Sequence, residues 1–199
     1  MLYRALVFVL ATWSGFFVMA IEMLSGRILA PDFGNSIYVW GGVITIFMLA
    51  LSLGYLLGGR WSRVTPSLRR LALILLAAAI TIAPVALAAD RALDALFNLV
   101  QDPRYGSLLG ATLLFFIPTT LSGMVSPYAI RLLVQDSDRS GQDAGLLYFA
   151  STFGSAAGTL ATAFYLVLWF DVDHILWALL GISIALALGC LLWNPPRER

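Results

Sequence analysis

Charge-free stretches divide the chain into six apolar blocks: Ala5 to Ile21, Phe33 to Gly59, Leu71 to Ala89, Tyr105 to Ile130, Ala144 to Phe170 and Ile175 to Pro196. An α-helix rises about 1.5 Å per residue, so about 20 apolar residues cross the roughly 30 Å of bilayer hydrocarbon. Each block is therefore read as a spanning helix. The first is short unless it continues past Glu22 to Leu29, where Pro31 would stop it. The pattern predicts an all-α membrane protein, one membrane domain over 1–199, with helices at about 5–30, 38–59, 71–89, 105–132, 144–169 and 175–193. Between the third and fourth, Leu93, Leu96, Phe97 and Val100 recur at helical spacing among Asp90, Arg91, Asp94 and Asp102. This predicts a short interfacial helix over about 90–101, with an irregular loop as the alternative.

A signal peptide is the competing reading of the first block, since Arg4 precedes an apolar run and Val18-Met19-Ala20 suits a cleavage site. The run is longer than a signal core, however, and Ile21-Glu22-Met23 continues a helical pattern, so the spanning helix is preferred.

Composition agrees with the bilayer as solvent: 60% of residues are hydrophobic and 12% charged. A net charge of +1 leaves no basic surface for nucleic acid. The single Cys190 can form neither an internal disulfide nor a thiolate cluster and is read as a small buried apolar residue. No cofactor or metal is expected.

Arginine placement orients the helices, because positively charged loops resist translocation. Arg4, Arg60, Arg63, Arg69, Arg70, Arg131, Arg139, Arg197 and Arg199 fall on one side, against Arg27, Arg91 and Arg104 on the other. The first side is read as cytoplasmic, with both termini inside, in a bacterial inner membrane.

Gly54-x-x-x-Gly58 in the second helix and Gly154-x-x-x-Gly158 in the fifth let backbones approach closely. Helices so marked three spans apart fit two inverted three-helix halves, the plan of many secondary transporters. Phe16-Phe17, Leu24-Ser25-Gly26 and Pro31 in the first helix are echoed, with a gap, by Phe115-Phe116, Leu121-Ser122-Gly123 and Pro127 in the fourth. Pro118 and Pro127 around Gly123 invite a kink or break in mid-membrane. The carbonyls freed there either meet a ligand or are satisfied by Thr119, Thr120 or Ser122.

Glu22-Met-Leu-Ser-Gly-Arg27-Ile-Leu-Ala-Pro31-Asp-Phe-Gly34-Asn-Ser36-Ile-Tyr38-Val-Trp40 leads on to Leu53-Gly54-Tyr55-Leu-Leu-Gly58-Gly59-Arg60. A second stretch is Gly123-Met-Val-Ser126-Pro127-Tyr128-Ala-Ile-Arg131-Leu, followed by Gly145-Leu-Leu-Tyr148-Phe-Ala-Ser151-Thr152-Phe-Gly154-Ser155-Ala-Ala-Gly158-Thr159. Together they resemble the membrane region of bacterial spermidine synthase-like proteins, described as fused transporter and aminopropyltransferase proteins. In that family a soluble Rossmann-like domain follows; here only Asn-Pro-Pro-Arg-Glu-Arg follows Trp193, so the expectation is a membrane module without that enzyme activity. By analogy the resemblance implies a connection with polyamines or other small cationic solutes.

Glu22 is the first candidate site residue, because a carboxylate inside a span is costly and faces a partner or a polar cavity. Arg27, five residues on, lies roughly 140° around the helix axis, so Arg131 and Tyr128 are alternative partners. Asp32, Asn35, Tyr38 and Trp40 join Glu22 and Arg27 as a group able to enclose a cation, or as an aromatic belt. Asp171, Asp173 and His174 suit either a metal or a solvated loop. Arg60, Arg63, Arg69 and Arg70 resemble the basic loop of major-facilitator transporters, with Asp136, Asp138, Asp143 or anionic lipid as partners, although topology alone explains them. The expectation is a solute-binding or transporting module, paired with itself or with partner subunits. The alternative is an assembly subunit, or a dock for a separately encoded soluble enzyme.

Overall fold

The structure, a computed structural model, describes residues 2–134 and 139–193. The sequence-predicted Asp136, Asp138, Arg197 and Arg199 lie outside them. The described residues form helices and no strand. Six helical segments are long and apolar enough to cross a membrane, the architecture of a multi-pass membrane protein.

The first segment is α1 (Leu2–Phe33), whose 32 residues measure about 48 Å, longer than the hydrocarbon is thick. Pro31 does not stop it, because a proline removes only its own bond to the carbonyl four residues back. The helix ends instead at Gly34, which takes φ +77° and donates its N–H to the Ala30 oxygen at 2.9 Å. The second segment is α2 (Ile37–Trp61).

The third segment, Leu68–Leu99, is bent. It consists of α3 (Leu68–Ile80) and α4 (Ala83–Leu99), joined at Thr81 and Ile82. Pro84 causes the bend, since it has no N–H for the Ile80 carbonyl. The expected helix over 90–101 is therefore the second half of α4.

The fourth segment breaks where Gly123 and the two prolines suggested, into α5 (Pro103–Gly123) and α6 (Val125–Leu133), hinged at Met124. The fifth is α7 (Ser140–Ala161), a π-helical turn over Thr162–Leu166, and α8 (Val167–Trp169). The sixth is α9 (Val172–Leu192).

Small residues set the packing. A Cβ at Gly154 or Gly158 of α7 would collide with the backbone of Thr12 or Phe16 in α1. A Cβ at Gly54 or Gly58 of α2 would likewise collide with the backbone of Thr120 or Met124. The four predicted packing glycines thus seat α7 on α1 and α2 on α5–α6, running parallel in both pairs. The core has two layers. One surrounds Phe17, Leu24, Phe47 and Phe115, the other Leu10, Leu71, Tyr128 and Leu147. Cys190 is buried in the second, as a small apolar residue would be.

Candidate functional site

Glu22 sits seven residues after Gly15 and four before Gly26, so all three share one face of α1. The elements flanking that face are fixed by the glycines. Gly15 lies against Ser151 and Ser155 of α7, and Gly26 lies beneath the Trp40 indole of α2, where a Cβ would come within 2.6 Å of the ring. Glu22 therefore belongs to a groove on α1 with α7 at one end and α2 at the other.

Glu22 is half-buried. Its backbone oxygen accepts the Ser25 hydroxyl at 2.6 Å, but its carboxylate has no hydrogen-bond or ion-pair partner among the described residues. Arg27 projects away and donates from Nη1 to the Val167 oxygen at 3.3 Å. That carbonyl is free because Phe170 turns extended (φ −132°, ψ 145°) and ends α8, and a guanidinium at a helix C-terminus is favourably placed. The expected Glu22–Arg27 pair does not form.

The other predicted residues divide into four places. The Trp40 Nε1–H donates to the Asn35 Oδ1 at 2.6 Å, which holds the indole over Gly26 at the mouth of the groove. Tyr38 faces outward and stacks under Arg104, 4.4 Å from its ring centre. Asp32 turns toward α4, with Asp94 and Asp90 within electrostatic reach. Tyr128 is fully buried in the opposite core layer, its hydroxyl accepting the Ser67 N–H at 3.3 Å, and Arg131 is exposed at that same end. Neither reaches Glu22, because both lie on the half of α5–α6 that packs around the start of α1. Arg131 instead lines a cavity of about 500 Å³ with Pro127, Ile130 and Ser140.

Asp171 and His174 stand 3.5 Å apart and exposed, and among the described residues no group of three such side chains is arranged to hold a metal. Around the Met124 hinge, the hydroxyls of Thr119, Thr120 and Ser122 are buried without partners among the described residues, so they do not satisfy the freed carbonyls. Ser14 of α1 does this for Ser122, donating to its oxygen at 3.2 Å.

One pairing had no signal in the sequence. Arg4 at the start of α1 hydrogen-bonds the buried Asp143 in the first turn of α7. Asp143 is thus engaged by Arg4 rather than by the loop arginines. The two are 139 residues apart, and only the parallel seating of α7 on α1 brings them together. Neither a family model, nor a curated protein, nor a solved structure matches this chain.

Proposed function

We propose that this chain is a transport-type membrane module that binds a small cationic solute at Glu22. The observation that carries this reading is the unpartnered carboxylate in a groove between α2 and α7. A carboxylate facing the apolar interior with no counter-charge is costly, and a mobile cation or a proton is the partner that would offset the cost. Trp40 at the groove mouth supplies an aromatic face for an ammonium group. Polyamines are the solute class that the sequence resemblance suggests.

Two inverted three-helix halves belong to the same proposal, and the close approaches support them. The α7 glycines meet Thr12 and Phe16, while the α2 glycines meet Thr120 and Met124. Gly15 meets the Ser151 oxygen, while Gly123 meets the Leu51 oxygen. Thr12, Gly15 and Phe16 thereby correspond to Thr120, Gly123 and Met124 at one constant offset. Leu51, Gly54 and Gly58 correspond to Ser151, Gly154 and Gly158 at another. This aligns Thr12-Trp13-Ser14-Gly15 with Thr120-Leu121-Ser122-Gly123, a register different from the echo through Leu24-Ser25-Gly26. Glu22 corresponds to Ile130, so the charge is confined to one half. The arginine asymmetry supports placing the Arg4 end in the cytoplasm of a bacterial cell.

A second reading, an assembly subunit, draws on α7. Its segment is the least buried of the six and exposes Tyr148, Phe149, Phe153, Phe164 and Tyr165 along its length, a face for lipid, a second copy or a partner subunit. Uptake of labelled spermidine or putrescine into proteoliposomes separates the two. The expected result is saturable uptake by the unaltered chain and at least about tenfold less by Glu22→Gln, the loss that about 1.4 kcal/mol of binding represents. No uptake of either polyamine would overturn the transport reading.

A further inference from the structure

Beside α9 the molecule carries an apolar slot that adjoins a charged mouth. The slot, about 420 Å³, is lined by Trp13, Phe16, Leu166, Ile175, Leu179 and Ile182. Its wall is fixed. Trp13 stacks on Phe16 with ring centres 5.2 Å apart, and its Nε1–H donates to the Ser183 hydroxyl at 2.8 Å. Phe170 and His174 line both this slot and a cavity of about 590 Å³ that contains Arg27, Trp169 and Asp171. Arg27, Asp171 and Val172 also border a third hollow of about 430 Å³, which adds Asp90, Arg91 and Asp173.

We infer that these adjoining hollows form a phospholipid site that selects an ethanolamine headgroup. The slot suits an acyl chain, since every side chain named in it is apolar along the surface it presents, with Trp13's only polar atom already bonded to Ser183. The mouth is of mixed sign, two arginines and three aspartates, which matches a zwitterion and not a purely anionic head. Arg27 spends a single N–H on Val167, so its remaining donors are free to grip a phosphate in the planar, two-point manner of a guanidinium. The carboxylates of Asp171 and Asp173 are exposed and can accept N–H donors from a primary ammonium. A choline group has no N–H to give, and a glycerol head has no positive charge. The site is separate from the Glu22 groove and does not depend on it.

The test uses the full chain, stripped of native lipid in detergent and mixed with equal amounts of dioleoyl phosphatidylethanolamine, phosphatidylcholine and phosphatidylglycerol. Native mass spectrometry then counts the lipid retained. The expected result is a roughly fivefold to tenfold preference for the ethanolamine lipid over both others, as one or two charge-assisted hydrogen bonds give. Asp171→Asn, an exposed change that leaves the bundle intact, abolishes the preference over phosphatidylcholine while the total lipid bound persists. Ile182→Trp, which fills the slot, lowers retention of all three. Equal retention of the three lipids, preference for phosphatidylglycerol, or an undiminished ethanolamine preference in Asp171→Asn would each overturn the inference.

Discussion

Charged side chains make up 12% of this protein, and the few in its helices stand out singly. Glu22 was legible in the sequence because it ends the charge-free run from Ala5 to Ile21 while the helical pattern continues. Its lack of a partner was not, since Arg27 goes instead to a carbonyl exposed by the end of α8, and no spacing rule anticipates that. Arg4 and Asp143 were illegible as a pair for a different reason: they meet only through the tertiary seating of α7 on α1. Asp143 is buried and sits in the first turn of α7, where a negative charge also favours the helix dipole. Arg4 is half-exposed, so screening reduces the contribution of the pair. In a double-mutant cycle of Arg4→Gln and Asp143→Asn, read by thermal unfolding in detergent, the expected coupling is about 1 kcal/mol. Purely additive effects would show that the contact adds nothing to stability.

The six segments were legible because uninterrupted apolar length is a strong signal, whereas the interruptions within them were not uniformly so. Pro84 bends the third segment, Pro118 and Pro127 flank the Met124 hinge of the fourth, and yet Pro31 lies inside the last turn of α1 without ending it. The difference is position, since in the last turn Pro31 removes one bond, to the Arg27 carbonyl, from a helix that ends two residues later at its glycine cap. The π-helical turn over Thr162–Leu166 carries no distinguishing residue at all. The glycine motifs were the most informative local feature, and their partners are now defined. Gly154→Val and Gly54→Val should each destabilise the bundle by about 1–3 kcal/mol, because a side chain there meets backbone that cannot move aside. Gly59→Val should not, as nothing lies within 4 Å of its Cβ position. Unfolding midpoints of the three variants check the ordering.

At the scale of the molecule, orientation in the membrane follows from the proposed arginine rule, and the cysteine content makes it simple to examine. Cys190 is the only cysteine and is buried, so background labelling is low. Arg63→Cys, in the loop between α2 and α3, should react with an impermeant maleimide only after the cytoplasmic side is opened. Arg91→Cys, exposed midway along α4, should react in intact cells. The reverse pattern would invert the topology.

The tightest seams of this bundle run between its first three spans and its last three, α1 against α7 and α2 against α5. Adjacent spans are joined in sequence but find their close neighbours on the far side of the chain's midpoint. Severing the polypeptide at Gln101, between α4 and α5, should therefore be survivable. Two fragments produced together are expected to reassemble into a stable, co-purifying pair, while either one produced alone loses the partner of its small-residue helices and is degraded. The continuity of the backbone at that point would then be a convenience of synthesis, and the holding together a matter of clasped helices.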